Sequence, residues 1–340
     1  MAMNSTQKTI LSGIQPSGRL HLGNYFGAIK QHLEFQDKGD AFYFIANYHS
    51  LTSIQNGEKL RKHTLDVAID YLALGMDPEK CTFFAQSDVP QVLELSWILG
   101  TMTPVSLMEK GVSYKDKIAQ GFQPNIGLFT YPVLQAADIL IYQSHIVPVG
   151  ADQKQNIEIS RDLAARFNHV YRGDYLRIPE PFIVESVATV PGIDGRKMSK
   201  SYDNTIEIFD SGKTLKKKVM AVVTDSKALE DPKDPDSCNV FALMKLFADH
   251  KNLQEVRDKY LSGGYGYGHA KKELLGLISD YFEEAREKRL ELAKDPDTVR
   301  DMLREGGRKA RERAESVMEQ VREVTGIVRH FSTSTTQFQD

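Results

Sequence analysis

Residues 10–24 read ILSGIQPSGRLHLGN, in which a short apolar run, a tight turn and the start of an apolar helix follow one another. The apolar run predicts a first strand, and the helix is expected over about 23–34. His21 lies just before the helix start, where backbone N–H groups without helical partners attract phosphate. Gly23 leaves room for a flat base, and Asn24 offers a donor and an acceptor. Taken alone, such a stretch is more often an ordinary helix start.

A second motif, KMSKS at 197–201, places cations in a segment that follows Gly192 and Gly195. A glycine-bounded loop is flexible enough to bring Lys197 and Lys200 onto a triphosphate, and lysine suits that task as a compact point charge. By itself the motif is more often a solvated basic loop. The two motifs in this order, on either side of an alternating α/β pattern, favour a site that activates an amino acid with ATP.

Short apolar runs alternate with helical patterns through the first half of the chain. Strands are predicted at 41–46, 82–85 and 146–149. This alternation is typical of a parallel sheet flanked by helices, so the predicted class is α/β with a doubly wound parallel sheet. Pro148 indicates a strand end or a sheet edge. Asp152 is expected to cap the helix that follows.

The sequence changes character after Ser201. The remaining segments are long, charged and amphipathic, which predicts helices, with a glycine-rich loop at 263–268. We therefore expect a catalytic α/β domain over 1–201, a helical domain over 202–330 and a flexible tail at 331–340.

The composition narrows the possible functions. The chain has 43 basic and 46 acidic residues and a net charge of −3, so a polyanion must be held by local basic patches. Two basic stretches occur at 213–218 and 308–313, although a solvated helix face explains them equally well. Cys81 and Cys238 have neither disulfide nor zinc spacing, and no secretory or membrane-spanning stretch is evident. A soluble, cytoplasmic protein without a membrane partner is expected.

A helix with one polar side is predicted near residue 135. Thr130 is its candidate cap and Pro132 its candidate first residue. Four polar residues recur at helical spacing: Tyr131, Gln135, Asp138 and Tyr142. A buried Asp138 needs a hydrogen-bond donor to keep its charge. That donor is either a structural partner, such as a tyrosine hydroxyl or a backbone amide, or the N–H of a bound indole ring.

Four longer strings accompany the two motifs: GIQPSG at 13–18, YPVLQAADIL at 131–140, VPVGADQKQ at 147–155 and AVVTDS at 221–226. With them, most of the chain resembles the class I aminoacyl-tRNA synthetases, and specifically the bacterial tryptophanyl-tRNA synthetases. The resemblance implies a Rossmann catalytic domain, a helical tRNA-binding domain and a homodimer. It also implies ATP and Mg²⁺ as cofactors, and L-tryptophan and tRNA(Trp) as substrates.

The resemblance further implies which residues bind each substrate. The nucleotide site would comprise Gln15, Pro16, Ser17, Gly23, Asn24, Gly150, Ala151, Asp152, Val190, Lys197, Met198, Ser199, Lys200 and Ser201. Catalytic roles would fall on Lys197, Lys200, Lys117 and His21, with Mg²⁺ carried by ATP and not by a protein site. The tryptophan site would comprise Asp138, Gln135, Tyr131 and Gln153.

Some features leave alternatives open. Gln135 stands where many bacterial members have Met, and Ala151 where they have Glu, so the indole contacts of Gln135 are not assumed. Asn47 and His49 follow the second strand, and a structural role is the default for such a histidine. Tyrosine activation is a rival with the same chemistry, because a pocket of Tyr, Asp and Gln also suits a phenol. A rival of another class is a synthetase-derived protein that binds RNA or a partner without catalysis.

Overall fold

The computed structural model describes residues 8–109, 114, 119, 121, 123, 125–150, 153–183 and 189–327. Its five strands are β1 (Thr9–Ile14), β2 (Asp40–Ile45), β3 (Thr82–Ala85), β4 (Ile146–Val149) and β5 (Glu180–Ile183). They form one parallel sheet with the order β3-β2-β1-β4-β5. The predicted parallel sheet and its first four strands are confirmed. β5 escapes prediction because its sequence, EPFI, shows neither alternation nor a β-branched run.

Helices make up most of the remaining described chain. The first, α1, is one continuous run of Leu22–Asn24, a π-helical turn at Tyr25–Ile29 and Lys30–Phe35. The others are α2 (Asn47–Ser50), α3 (Gly57–Ala73), α4 (Gln91–Thr101), α5 (Val105–Glu109), α6 (Ile126–Leu140), α7 (Lys154–Tyr171), α8 (Gly212–Met220), α9 (Asn239–Met244), α10 (His250–Ser262), α11 (Tyr267–Tyr281), α12 (Glu283–Leu292) and α13 (Pro296–Thr325). Within the described ranges, none of these helices is long and apolar enough to cross a membrane.

The strand order changes direction next to β1. From β1 the chain adds β2 and then β3 on one side, whereas β4 and β5 lie on the other. In an open parallel sheet, ligands bind in the crevice at the carboxyl ends of the two strands where the order reverses. These two strands are β1 and β4, which pair through Ile10 and Ile146. The residues that follow them are therefore placed to meet a ligand.

Helix α6 begins earlier than the sequence predicts. Its cap is Asn125, whose Oδ1 accepts the Leu128 N–H at 2.8 Å. Pro132 lies inside the helix, so the predicted start at Thr130 and Pro132 is wrong. Thr130 instead donates its hydroxyl to the carbonyl of Ile126 at 2.8 Å. The proline removes one backbone bond, and the packing of α6 against α4 and α7 compensates for that loss.

Tyr142 and Pro148 both lie in the interior of the fold. The Tyr142 ring stacks on Phe42 with a centroid distance of 5.1 Å, so Tyr142 belongs to the core and not to the polar side of α6. Pro148 is the third of the four residues of β4. Because β4 lies between β1 and β5, the predicted sheet edge is wrong, whereas a position near a strand end agrees with the structure.

The last helix returns to the sheet. α13 packs against β3, α3 and α4. Gly306 permits the close approach, because a Cβ built there would lie 1.9 Å from the carbonyl oxygen of Phe83. The two halves of the core lie on opposite faces of the sheet, and α13 contributes Leu303 to one and Val317 to the other. The C-terminal segment thus completes the core of the first half, and the functional boundary at residue 201 stays a prediction.

Replacing Gly306 with Ala should destabilise the protein. The new methyl group would be forced against the Phe83 backbone, and over-packing of this kind costs about 1–3 kcal/mol. Gly276→Ala in α11 is the matched control, because a Cβ there meets nothing within 4 Å. Alanine is favoured over glycine in a helix by about 1 kcal/mol. The urea concentration at the midpoint of unfolding should therefore fall for Gly306→Ala and rise for Gly276→Ala. A shift in the same direction for both variants would contradict the described docking of α13.

Candidate functional site

A cavity of about 420 Å³ opens at the carboxyl ends of β1, β2 and β4. It is lined by six of the residues predicted for substrate binding: Gln15, Tyr131, Gln135, Asp138, Gly150 and Gln153. Phe44, Ile139 and Val147 add apolar surface. A concave site with apolar walls and a few polar groups is typical of a small-molecule pocket.

Asp138 is buried in the wall of this cavity. His49 Nε2 lies 2.9 Å from its Oδ2, and Gln86 Nε2 donates to both carboxylate oxygens at 2.8 and 2.9 Å. Burial raises the pKa of Asp138, and the bonds from His49 and Gln86 act in the opposite direction. The predicted need for a donor is confirmed. Among the residues that the structure describes, the donors are two side chains, His49 and Gln86, and not a tyrosine hydroxyl or a backbone amide.

Sequence reasoning did not identify Gln86. It follows β3 directly, so it stands at the same edge of the sheet as the cavity. The available signal was a polar residue immediately after a buried strand, which parallel topology directs toward the site. His49 bonds Asp138 and also lines the cavity, so the structural role expected for it stays a prediction. Asn47 donates to Ser87 Oγ at 2.8 Å and thus braces the turn beside Gln86.

The other predicted amino-acid ligands line the same cavity. Tyr131 and Gln135 project from α6, and the Tyr131 ring meets the His49 ring edge-on at 6.3 Å between centroids. Gln153 occupies the N-cap position of α7, where its Oε1 accepts from Asn156 Nδ2 at 3.0 Å. The structure therefore brings these side chains together, while their contacts with a ligand stay predictions.

The turn after β1 leads into α1 as predicted. Ser17 donates its N–H to the carbonyl of Gln15 at 2.8 Å, and Gly18 has a φ of 98°, a conformation that favours glycine. His21 is the N-cap of α1, and its N–H donates to Asn24 Oδ1 at 3.1 Å. The Asn24 oxygen thus takes part in the helix start, and the contact of Asn24 with a nucleotide stays a prediction.

His21 is a buried, neutral imidazole. Its Nδ1 has no hydrogen-bond partner among the residues that the structure describes. Burial, and then the charge of Lys200, lowers the pKa of His21 to about 4. A Cβ on Gly23 would lie 3.0 Å from this ring and 3.4 Å from Met198 Cβ. The helix start and the lysine loop therefore meet at Gly23, as their pairing in the sequence predicts.

Lys200 reaches the turn after β1. Its Nζ lies 3.2 Å from both the carbonyl oxygen and the Oγ of Ser17, and burial lowers the pKa of Lys200. Met198 anchors the loop by donating its N–H to the carbonyl of Val190 at 2.9 Å. The nucleotide contact predicted near Val190 stays a prediction. Lys197 is exposed on the same loop.

The buried side chain of Asn204 organises the loop from inside. Its Oδ1 accepts the Ser199 N–H at 2.8 Å, and its Nδ2 donates to the Lys197 carbonyl at 3.1 Å and to Asp194 Oδ1 at 2.7 Å. Gly192 is required for close packing, because a Cβ there would lie 2.3 Å from Asn204 Nδ2. The prediction assigned this glycine to flexibility, whereas the structure shows the lysines presented by a hydrogen-bonded turn.

Several of the predicted residues do not line the cavity described above. Lys117, Ala151 and Asp152 lie outside the described residues, so their roles, including the Asp152 cap, stay predictions. The tail at 331–340 also lies outside them. Pro16 is buried and Ser201 is exposed.

The parallel sheet, the cavity at its switch point and the cationic loop beside a helix start define a nucleotide-binding protein of the Rossmann class. The family described as class I tRNA synthetases (W and Y) matches residues 3–283. The chain belongs to this family.

Individual relatives match almost the whole chain. The tryptophan–tRNA ligase of Fusobacterium nucleatum is 54% identical over 321 residues, which cover 94% of this chain and 98% of the relative. The structure of tryptophanyl-tRNA synthetase from Campylobacter jejuni complexed with ADP and tryptophan has a TM-score of 0.90 and 51% identity, covering 94% of this chain and 100% of that one. The Mycoplasma pneumoniae tryptophanyl-tRNA synthetase has a TM-score of 0.79 at 28% identity, with coverages of 95% and 98%.

Replacing Asn204 with Ala should loosen the lysine loop. The change removes three hydrogen bonds, each with a net contribution of about 1 kcal/mol. Local opening should therefore become more frequent, and trypsin should cleave at the loop lysines about tenfold faster or more. Asn252→Ala, at an exposed position in α10, is the control and should leave that rate unchanged. Equal cleavage of wild type and Asn204→Ala would show that the loop does not depend on this side chain.

Proposed function

We propose that this chain is a tryptophan–tRNA ligase. It activates L-tryptophan with ATP to form tryptophanyl-adenylate and diphosphate, and then transfers the aminoacyl group to the 3′ end of tRNA(Trp). The observation that carries this proposal is the buried Asp138 carboxylate in the wall of the cavity. Relatives with 54%, 52% and 49% identity over nearly the whole chain are tryptophan–tRNA ligases, which supports it.

Asp138 supplies the selectivity for tryptophan. A buried carboxylate accepts a hydrogen bond from the indole N–H. A ligand without that group leaves one acceptor of the carboxylate unsatisfied and therefore binds more weakly. Ile139 and Val147 offer apolar surface to the ring. Tyr131 and Gln153 hold the α-amino group. Gln135, one turn before Asp138, shares the indole N–H or orients the carboxylate.

Adenylate formation requires no general base, because the tryptophan carboxylate is already ionised at neutral pH. A carboxylate oxygen attacks the α-phosphorus in line, the bond from the α-phosphorus to the bridging oxygen breaks, and diphosphate leaves. Lys197, Lys200 and Lys117 stabilise the charge on the leaving group. The neutral His21 lies at the start of α1, beside the phosphates. A terminal ribose hydroxyl of tRNA then attacks the carbonyl carbon, and AMP departs.

Mg²⁺ would be carried by ATP and would neutralise charge on the diphosphate. The groups on the described phosphate side are backbone N–H groups at the start of α1, the Ser17 hydroxyl and the Lys200 ammonium. Such donors fit phosphate oxygens, whereas Mg²⁺ prefers oxygen ligands that phosphates themselves supply.

Two rival functions are less well supported. Tyrosine activation would place a phenol against Asp138, and the family includes enzymes of both kinds, but the relatives named above act on tryptophan. A non-catalytic paralogue would not need the cationic loop at the helix start. His21 and Lys200 are both present there, and Lys200 contacts Ser17.

An exposed apolar surface supports the predicted homodimer. Trp97, Val105 and Ile126 are 77%, 63% and 79% exposed and lie on α4, α5 and α6, and α6 packs against each of the other two helices. A second copy would cover this surface. Cys81 and Cys238 are buried and not disulfide-bonded, which suits a reducing cytoplasm.

Helix α8 is better suited than α13 to meet tRNA phosphates. Lys213, Lys216 and Lys217 of α8 are exposed, whereas Lys218 is held by Asp210 at 2.7 Å. In α13, Arg308 is paired with glutamates on both of its sides along the helix. Exposed lysines that are not paired with carboxylates in this way can bind phosphates, and that binding releases the counterions of the polyanion.

Diphosphate exchange with each amino acid in turn tests the proposed activation. Tryptophan alone should support exchange by the wild type. Lys200→Ala should lower the exchange rate about 100-fold or more while tryptophan affinity changes little, because the lysine stabilises charge that develops only in the transition state. The exposed Lys251→Ala is the control. Exchange with tyrosine would show that the pocket binds tyrosine. No exchange with any amino acid would favour the non-catalytic protein.

Reversing the charge of Lys216 and Lys217 together tests the tRNA surface. Aminoacylation efficiency with tRNA(Trp) should fall about tenfold or more and become less sensitive to salt, because phosphate contacts are lost. Diphosphate exchange should stay at the wild-type rate, since α8 lies outside the cavity wall. Reversing the charges of Lys251 in α10 and Lys288 in α12 together controls for the change in net charge, because both lysines are exposed. Unchanged aminoacylation in the double variant would exclude α8 from the tRNA interface.

A further inference from the structure

We propose that Gln86 is a positioning residue, which fixes the Asp138 carboxylate so that one defined oxygen is presented to a ring N–H. This inference rests on the proposed function and deepens it. Gln86 is 1% exposed and is absent from the cavity wall, so it acts on a ligand through Asp138 and not by contact.

The chain itself sets the orientation of the Gln86 amide. The backbone N–H of Tyr48 donates to Gln86 Oε1 at 3.0 Å. An oxygen must accept that bond, so Nε2 is the atom that faces Asp138. The reverse orientation would set the amide oxygen against the carboxylate and the amide NH₂ against a backbone N–H. Both contacts would be repulsive, and a single orientation is therefore enforced.

The turn that carries Gln86 is braced on both sides. Asn47 and Ser87 exchange two bonds: Ser87 N–H donates to Asn47 Oδ1 at 3.0 Å, and Asn47 Nδ2 donates to Ser87 Oγ at 2.8 Å. Asp88 Oδ2 accepts the Ala85 N–H at 3.3 Å. The ends of β2 and β3 are thereby tied together, which leaves Gln86 little freedom to follow a moving carboxylate.

Counting the bonds identifies the oxygen that a ligand would use. Oδ2 of Asp138 accepts from both His49 and Gln86, whereas Oδ1 accepts from Gln86 within the described part of the chain. Each carboxylate oxygen readily accepts two hydrogen bonds. Oδ1 therefore retains the capacity for one more donor, which is the ring N–H. Because the bond pair from Gln86 spans both oxygens, it also opposes rotation of the carboxylate.

The experiment compares tryptophan with β-(3-benzothienyl)alanine, in which sulfur replaces the ring N–H. In diphosphate exchange, Gln86→Leu should lower kcat/KM for tryptophan about 10- to 100-fold, because a charge-assisted bond to the ligand loses its geometry. For the benzothienyl analogue, which never made that bond, kcat/KM should change less than threefold. Gln86→Met keeps the length of the side chain and removes the donor to Asp138, so it should act in the same direction and provides a second variant if Gln86→Leu does not fold.

Gln36→Leu is the matched control, because Gln36 is also a buried glutamine and bonds Gly75 and Asp77 instead of Asp138. It should keep the wild-type ratio between the two substrates. In an Asp138→Asn background, Gln86→Leu should cost less than threefold, since the carboxylate that it positions is gone.

Two results would overturn the inference. A loss that is equal for the two substrates would make Gln86 a purely structural residue, and an unchanged kcat/KM for tryptophan in Gln86→Leu would show that Asp138 does not depend on it. A wild-type protein that exchanges diphosphate with no amino acid would instead overturn the proposed function itself. The wild-type measurement thus separates failure of the proposed function from failure of the role of Gln86.

Discussion

Parallel strands deliver their carboxyl ends to one edge of the sheet, and the candidate site depends on this constraint. The turn that carries Ser17 follows β1, His49 follows β2, Gln86 follows β3 and Gly150 follows β4. These segments are far apart in the sequence and become neighbours because the strands are in register. The reversal of strand order between β1 and β4 then opens the space that they surround.

The two ends of the site differ in charge. At one end, the Lys200 ammonium and the start of α1 offer positive potential, and burial keeps His21 neutral. At the other end, the Asp138 carboxylate is buried, and its cost of burial is offset by His49 and Gln86. A ligand that carries phosphates at one end and a ring N–H at the other matches this arrangement, which is the shape of an aminoacyl-adenylate with a tryptophan side chain.

The C-terminal helix connects the periphery of the molecule to this site. Gly307 of α13 lies so close to Asp88 that a Cβ there would be 2.6 Å from the Asp88 Cβ. Asp88 belongs to the same three-residue turn as Gln86, which holds Asp138. The packing of α13 therefore supports the turn that orders the cavity wall, and the helical half of the chain is part of the structure of the site.

The sequence by itself determined the α/β class, four of the five strands and the pairing of the helix start with the lysine loop. These follow from local pattern, since apolar runs and glycine or lysine motifs express their preferences over a few residues. Other features required the tertiary structure. The start of α6 at Asn125, the core position of Tyr142 and the return of α13 to β3 depend on packing between distant segments. The donors to Asp138 come from two other strand ends, and only folding decides which side chains surround a buried charge, because hydrogen-bond partners are selected by proximity in space and not by spacing along the chain.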